Sequence, residues 1–148
     1  MDEVCRIIRN GATKINQRLR RDELMEGIKR KPLNKATREK VLAKYKGHCS
    51  YCGCLISLKS MQVDHLYPFC RSHFEDGLDP NRIENLMPSC RKCNGFKGAF
   101  RLEDYRKELQ LQVERLTKNA QFMRAVTFGQ VKITESPIVF YFEIVKDR

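Results

Sequence analysis

Four of the seven cysteines in this 148-residue chain fall into two C-x2-C pairs, Cys49 with Cys52 and Cys90 with Cys93. Thiolates at that spacing share one tight turn and point at a common centre. Two such turns supply the tetrahedral four-sulfur set that Zn²⁺ prefers in closed, structural sites. The 37 residues between Cys52 and Cys90 would then be stapled at both ends. In small zinc modules such binding is worth about 10–16 kcal/mol of apparent folding energy. Cys54 competes for the assignment because it lies two positions beyond Cys52, although Cys49 with Cys52 is the better turn match. His48 is an alternative ligand that reads first as a surface neighbour, and the unpaired Cys5 and Cys70 read as small hydrophobes. Inside or beside the staple lie Asp64 and His65 at the end of a strand-like run, Asn85 before the second pair, and Asn94 directly after Cys93. Each alone has a plain structural reading as a strand end, a turn former or a helix cap.

In combination these residues resemble the HNH endonuclease family. The resemblance rests on Cys49-x2-Cys52, Val63-Asp64-His65-Leu66 with Pro68, Asn85-Leu86, and Cys90-x2-Cys93-Asn94-x2-Lys97, and covers about residues 38–100. It implies an α+β chain with a ββα-metal core, a hairpin and a helix around one catalytic divalent cation, stapled by the zinc knuckles. It also implies DNA as the substrate, with cleavage to 5′-phosphate and 3′-hydroxyl ends. By that resemblance His65 is the general base, Asp64 and Asn94 are ligands of the catalytic cation, and Asn85 orders the loop and orients the histidine.

An oxygen-only pair favours Mg²⁺ or Mn²⁺, and neutral imidazole can accept a proton near pH 7. Asn94 stands where the family name has its last histidine; asparagine is an accepted alternative, and a neutral ligand predicts weaker cation binding. The loop after Ser72 departs from the glycine pair of many members, carrying His73, Phe74, Glu75, Asp76 and Gly77, and His73 reads as a loop residue. Arg91, Lys92 and Lys97 surround the start of the following helix and are expected phosphate contacts.

Several elements must position these groups. Asn34 is a suitable N-cap for a helix from Lys35 to about Lys46, with Val41, Leu42 and Tyr45 on one face and Gly47 to stop it. Val4, Ile7, Ile8, Ile15 and Leu19 suggest basic helices further upstream, with Lys29 to Pro32 as a linker. Short apolar runs predict strands over Met61 to Leu66 and Ile83 to Met87. Leu102, Tyr105, Leu109, Val113 and Leu116 form a helical stripe that reads as core packing, Phe122, Met123 and Val126 a short helix, and Ile138 to Val145 a strand. The expected organisation is a basic helical extension over 1–33, the ββα core over 34–100, and helical and strand support over 101–148 in the same compact unit.

Charge is distributed unevenly along the chain. The net charge is +11, of which residues 1–46 carry 14 basic and 6 acidic side chains, so most of the excess precedes the candidate site. That segment reads either as a solvated helical face or as a surface that grips polyanions by counterion release. A hydrophobic content of 41% excludes wholesale disorder, and no apolar run approaches the length of a membrane span. An odd cysteine count without an export signal fits a reducing interior, so the expectation is a soluble cytoplasmic protein of a bacterial or phage-infected cell. Three functions stand open: a metal-dependent DNA endonuclease; a phage or prophage type of HNH scaffold that binds DNA, or binds and inhibits a nucleic-acid-targeting defence enzyme; and a purely structural zinc module. Nothing in the sequence sets the oligomeric state.

Overall fold

The structure, a computed structural model, describes residues 32–69 and 79–146, with side chains through residue 145. The helices expected upstream, most of the Lys29–Pro32 linker, Cys5, Cys70 and the loop carrying His73 lie outside the described residues. The chain divides into two compact units, Met1–Thr37 and Arg38–Arg148, and the second holds the candidate site.

Asn34 caps the first helix, α1 (Lys35–Ala43), its Oδ1 accepting the Thr37 N–H at 2.8 Å. The helix closes three residues earlier than expected, because the turn after Ala43 is consumed by its cap. Lys46 takes the left-handed conformation at φ 49°, and the N–H groups of Lys46 and Gly47 return to the carbonyls of Ala43 and Leu42. Two cations then tie the helix to later segments of the chain. The Arg38 guanidinium donates to the carbonyls of Leu58 and Met61, and the Lys44 ammonium to those of Ile83 and Leu86. Arg38 and Lys44, two of the 14 basic residues of the 1–46 segment, therefore have their head groups engaged within the fold.

Strands β1 (Gln62–His65) and β2 (Leu86–Ser89) pair antiparallel, with Asp64 opposite Met87 and His65 opposite Leu86. The second strand starts later than expected. Ile83–Asn85 is a 3-10 turn, because the Asn85 side chain bonds across to the carbonyls of Tyr67 and Pro80 and the Asn85 N–H returns to Arg82. Helix α2 (Arg91–Lys97) comes next and packs against β1. Strand, strand and helix make the small ββα unit.

The long helix α3 (Leu102–Thr117) anchors at its beginning only. Tyr105 is buried and Leu102 and Leu109 pack against the core, whereas Val113 and Leu116 are 40% and 46% exposed, so the expected core stripe ends halfway along. Helix α4 (Ala120–Thr127) is capped by Asn119 and buries no residue.

The segment expected to be a strand over Ile138 to Val145 is instead an irregular approach followed by helix α5 (Tyr141–Lys146). Tertiary contacts override the β-forming composition here. The Glu143 carboxylate accepts the Phe140 N–H at 2.9 Å and starts the helix, while the N–H groups of Tyr141 and Phe142 donate to the carbonyls of Tyr51 and Ser50. Arg106 of α3 locks the segment by pairing with Glu143, donating to the Ile138 carbonyl and lying 4.5 Å over the Phe140 ring. Phe140 and Phe142 thereby stack in the core, Phe140 on Tyr105, with Tyr51 edge-on to all three rings.

Removing the Arg106 clamp by Arg106→Ala leaves the Ile138 carbonyl and the Glu143 carboxylate without it. Urea unfolding should show a loss of about 2 kcal/mol, the range for hydrogen bonds to charged groups. A loss below about 0.5 kcal/mol would mean that α5 is held by its aromatic packing alone.

Candidate functional site

The first knuckle is a short ribbon. The N–H of Cys49 donates to the Cys54 carbonyl at 2.8 Å, that of Ile56 to Gly47 at 2.9 Å, and His48 bridges to Leu55. Its turn requires Gly53, which sits at φ 73° where a Cβ would lie 2.9 Å from the Tyr141 ring. The second knuckle is the entry to α2, where the Cys90 sulfur accepts the Cys93 N–H at 3.4 Å.

The two knuckles meet at sulfur. Cys49 Sγ accepts the Cys90 N–H at 3.3 Å, and Cys52 and Cys90 sulfurs are 3.9 Å apart. A tetrahedral ion with sulfur ligands at about 2.3 Å needs sulfur–sulfur edges of about 3.8 Å, so this spacing fits a bound metal. The sulfurs of Cys49, Cys52, Cys54 and Cys90 all lie within 4.8 Å of one another. Cys93 meets the same group through hydrogen bonding with Cys49, Cys90 and Cys52.

The four mutually close sulfurs thus include three of the expected cysteines and Cys54, while the expected Cys93 stands beside them against Cys49. A hydrogen bond from Cys93 lowers the Cys49 thiol to about 4 and correspondingly raises Cys93, whereas desolvation and the neighbouring Cys52 push Cys54 up to about 12. His48 is held elsewhere. Its ring stacks on Tyr141, and Nδ1 faces the carbonyls of Tyr45 and Lys46, which can only accept, so that nitrogen carries the proton.

Asp64 is the buried residue of β1, at 6% exposure. Its Oδ2 accepts the Tyr51 hydroxyl and pairs with the Lys97 ammonium at 3.0 Å. Burial, then the Asp64 carboxylate, push the Tyr51 phenol above its ordinary range, so it remains a donor. Lys97 is fully buried and also donates to the His65 carbonyl at 2.8 Å. The expectation that Lys97 contacts phosphate is therefore corrected: its charge lies inside, compensating a carboxylate that would otherwise be costly to bury.

His65 is half-buried, edge-on to Phe69, with Nε2 3.1 Å from Asn81 Oδ1. A carboxamide oxygen only accepts, so in the neutral ring this contact places the proton on Nε2 and the lone pair on Nδ1. Asn81 is in turn positioned by its N–H, which donates to Asp79 Oδ1 at 2.9 Å.

Asn85 ties the loop ends together. Its amide donates to Tyr67 and Pro80 carbonyls while its Oδ1 accepts the Tyr67 N–H at 2.8 Å. Asn94 lies on α2, one turn before Lys97, partly exposed, and its carboxamide makes no hydrogen bond among the described residues. Arg91 and Lys92 are exposed on the first turn of that helix.

Three participants escape the sequence reading. Tyr51 lies inside the first C-x2-C turn, where a phenol carries no signal of its own. Asn81 follows Asp79-Pro80, a turn signature that marks a loop but does not reveal its partner. Lys97 is visible as a cation, but only burial assigns it to Asp64.

Residues 49–100 match the family model described as HNH endonuclease. This stretch is an HNH domain. It contains both knuckles, the Asp64-His65 strand end, Asn85 and all of α2. No curated protein matches the chain. Among solved structures, the chain is similar to the type II-C Cas9 enzyme from Actinomyces naeslundii, at 26% identity and a TM-score of 0.43, over 65% of this chain and 11% of that one. The chain thus spans about a tenth of that relative's length. Among the described residues, no helix is long and apolar enough to cross a membrane.

Within the HNH domain, Lys97→Met should leave Asp64 buried beside a missing cation. We expect a loss of about 3–5 kcal/mol in urea or thermal unfolding, and partial recovery when Asp64→Asn is added. If the double variant is no more stable than Lys97→Met alone, the two side chains do not compensate each other.

Proposed function

We propose that this protein is a metal-dependent DNA endonuclease that hydrolyses phosphodiester bonds with its HNH domain. The observation that carries the reading is the convergence, inside the matched stretch, of Asp64 and His65 on one strand end braced by α2. His65 serves as general base, taking a proton from water through Nδ1, while Asn81 accepts from Nε2 and holds the tautomer. Asp64 and Asn94 would hold Mg²⁺ or Mn²⁺, which would supply Lewis-acid stabilisation of charge on the phosphate and the leaving oxygen. Tyr51 and Lys97 are positioning residues: they fix one Asp64 oxygen, and Lys97 also fixes the backbone of His65. Asn85 joins the chain at Tyr67 to Pro80 and so sets the loop from which Asn81 reaches the histidine.

The cysteine cluster holds structural Zn²⁺, with Cys49, Cys52, Cys90 and Cys93 as the knuckle ligands. Arg91 and Lys92 contact phosphate, and residues 1–33 form a basic extension that adds sequence-independent grip to the core over 34–100 and its support over 101–148. The place of action is the cytoplasm. One observation favours a second reading, in which the scaffold binds DNA without cutting it: Asp64 Oδ2 is already engaged by an ammonium and a phenol.

Cleavage of supercoiled plasmid in Mg²⁺ or Mn²⁺ separates the two. His65→Ala and Asp64→Ala should each lower the rate by about 10²–10⁴-fold while DNA retention at fixed salt is unchanged. A native protein that cuts under no divalent cation, or a His65→Ala variant that cuts equally well, refutes the enzyme reading. Persistent salt-sensitive DNA binding would then support the second.

A further inference from the structure

The cysteine cluster brings four sulfurs, those of Cys49, Cys52, Cys54 and Cys90, within 4.8 Å of one another, with Cys93 as a fifth beside Cys49 and Cys90, where a tetrahedral ion takes four. Cys49, Cys52 and Cys90 are common to the mutually close set and to the two C-x2-C pairs. Cys49 is fully buried and accepts the Cys90 N–H, while Cys52 and Cys90 already stand at 3.9 Å, close to the tetrahedral edge.

The fourth position has two claimants of the same chemistry. Cys54 is held by the bond from the Cys49 N–H to its own carbonyl, and its sulfur lies within 4.8 Å of the other three. Cys93 is held from the opposite knuckle by its N–H on the Cys90 sulfur, with its thiol against Cys49. Cys54 is exposed and Cys93 half-buried. The 4.8 Å limit exceeds the tetrahedral edge by about 1 Å.

We propose that Cys54 and Cys93 exchange as the fourth thiolate of a single metal ion. In the exchange, the Cys54 sulfur–metal bond forms as the Cys93 sulfur–metal bond breaks; Cys54 releases a proton to solvent and Cys93 takes one up, so the charge of the site is unchanged. The fourth thiolate is then replaceable by thiolate attack without an empty coordination position, and the exposed Cys54 is the entry point. The inference rests on the structural-metal part of the proposed function and is independent of whether the protein cuts DNA.

Co²⁺ and Zn²⁺ are the probes, with Cys54→Ala, Cys93→Ala and the double variant prepared in the full chain. Each single variant should bind one equivalent of Co²⁺ with the absorption of a four-thiolate site. The double variant should lose that absorption and bind Zn²⁺ on the order of 100-fold or more weakly in chelator competition, beyond the cost of losing an outer partner. The exchange is refuted if Cys93→Ala alone or Cys54→Ala alone reduces the site to three thiolates, or if the double variant keeps four.

Alkylation mapping of the native Zn²⁺-loaded protein covers the case in which the double variant does not fold. Cys54 and Cys93 should both label slowly while Cys49, Cys52 and Cys90 stay protected. Complete protection of one claimant, with the other labelled as fast as in denatured protein, refutes the exchange. A native chain that binds neither ion refutes the structural-metal reading as well, whereas plasmid cleavage tests the nuclease reading separately.

Discussion

The meeting of sulfurs between the 49–54 ribbon and the start of α2 is the constraint on which the rest of the domain depends. It joins Cys52 and Cys90, which have 37 residues between them in the chain. With a two-stranded sheet of four residues per strand, little else could hold those points together, since hairpins of that size are marginal in water. The Cys90 N–H on Cys49 and the Ser50 N–H on the Pro88 carbonyl run side by side, so the cluster also sets where β2 ends. The C-terminal segment then builds on the same ribbon through the Tyr51 and Ser50 carbonyls, which is why an aromatic core forms around a metal-binding turn.

Charge is handled differently in the second centre. Asp64 is placed in the interior of β1, and the fold compensates it with a lysine whose own ammonium is excluded from water. The pair costs desolvation on both sides, and its return is orientation: the same ammonium reaches the His65 carbonyl, so the helix carrying Asn94 and the strand carrying the acid and the histidine are connected through one side chain. Tyr51 couples this centre to the other, because its ring belongs to the aromatic core and its backbone to the cysteine ribbon while its hydroxyl serves Asp64. Structural and chemical roles are therefore not separable in this domain.

Much of this is legible in residue order. The C-x2-C pairs mark a site that could hold a metal, and the order of Asp64, His65, Asn85 and Asn94 between and after them carries the resemblance to HNH endonucleases; Asn34 marks the start of α1. Sequence and structure diverge where tertiary contacts outweigh local preference. Ile83 begins an apolar run, yet the bonds of Asn85 across the loop bend it into a 3-10 turn. Ile138 to Val145 is β-branched and aromatic, yet the Glu143 cap and the Arg106 clamp make its second half helical. Val113 and Leu116 continue a helical stripe past the point where the core has anything to cover them.

By itself the sequence determined the order of the site residues, the cysteine pairs and the start of α1 at Asn34, because these depend on residue type and on spacing within a few positions. Only the tertiary structure decided which side chains meet: that Cys54 joins the sulfurs, that Lys97 turns inward to Asp64 instead of outward to phosphate, and that Asn81 and Tyr51 serve the histidine and the acid. Those choices depend on burial and on contacts between residues far apart in the chain, where the cost of an unpaired charge or amide selects the partner and no local pattern records it.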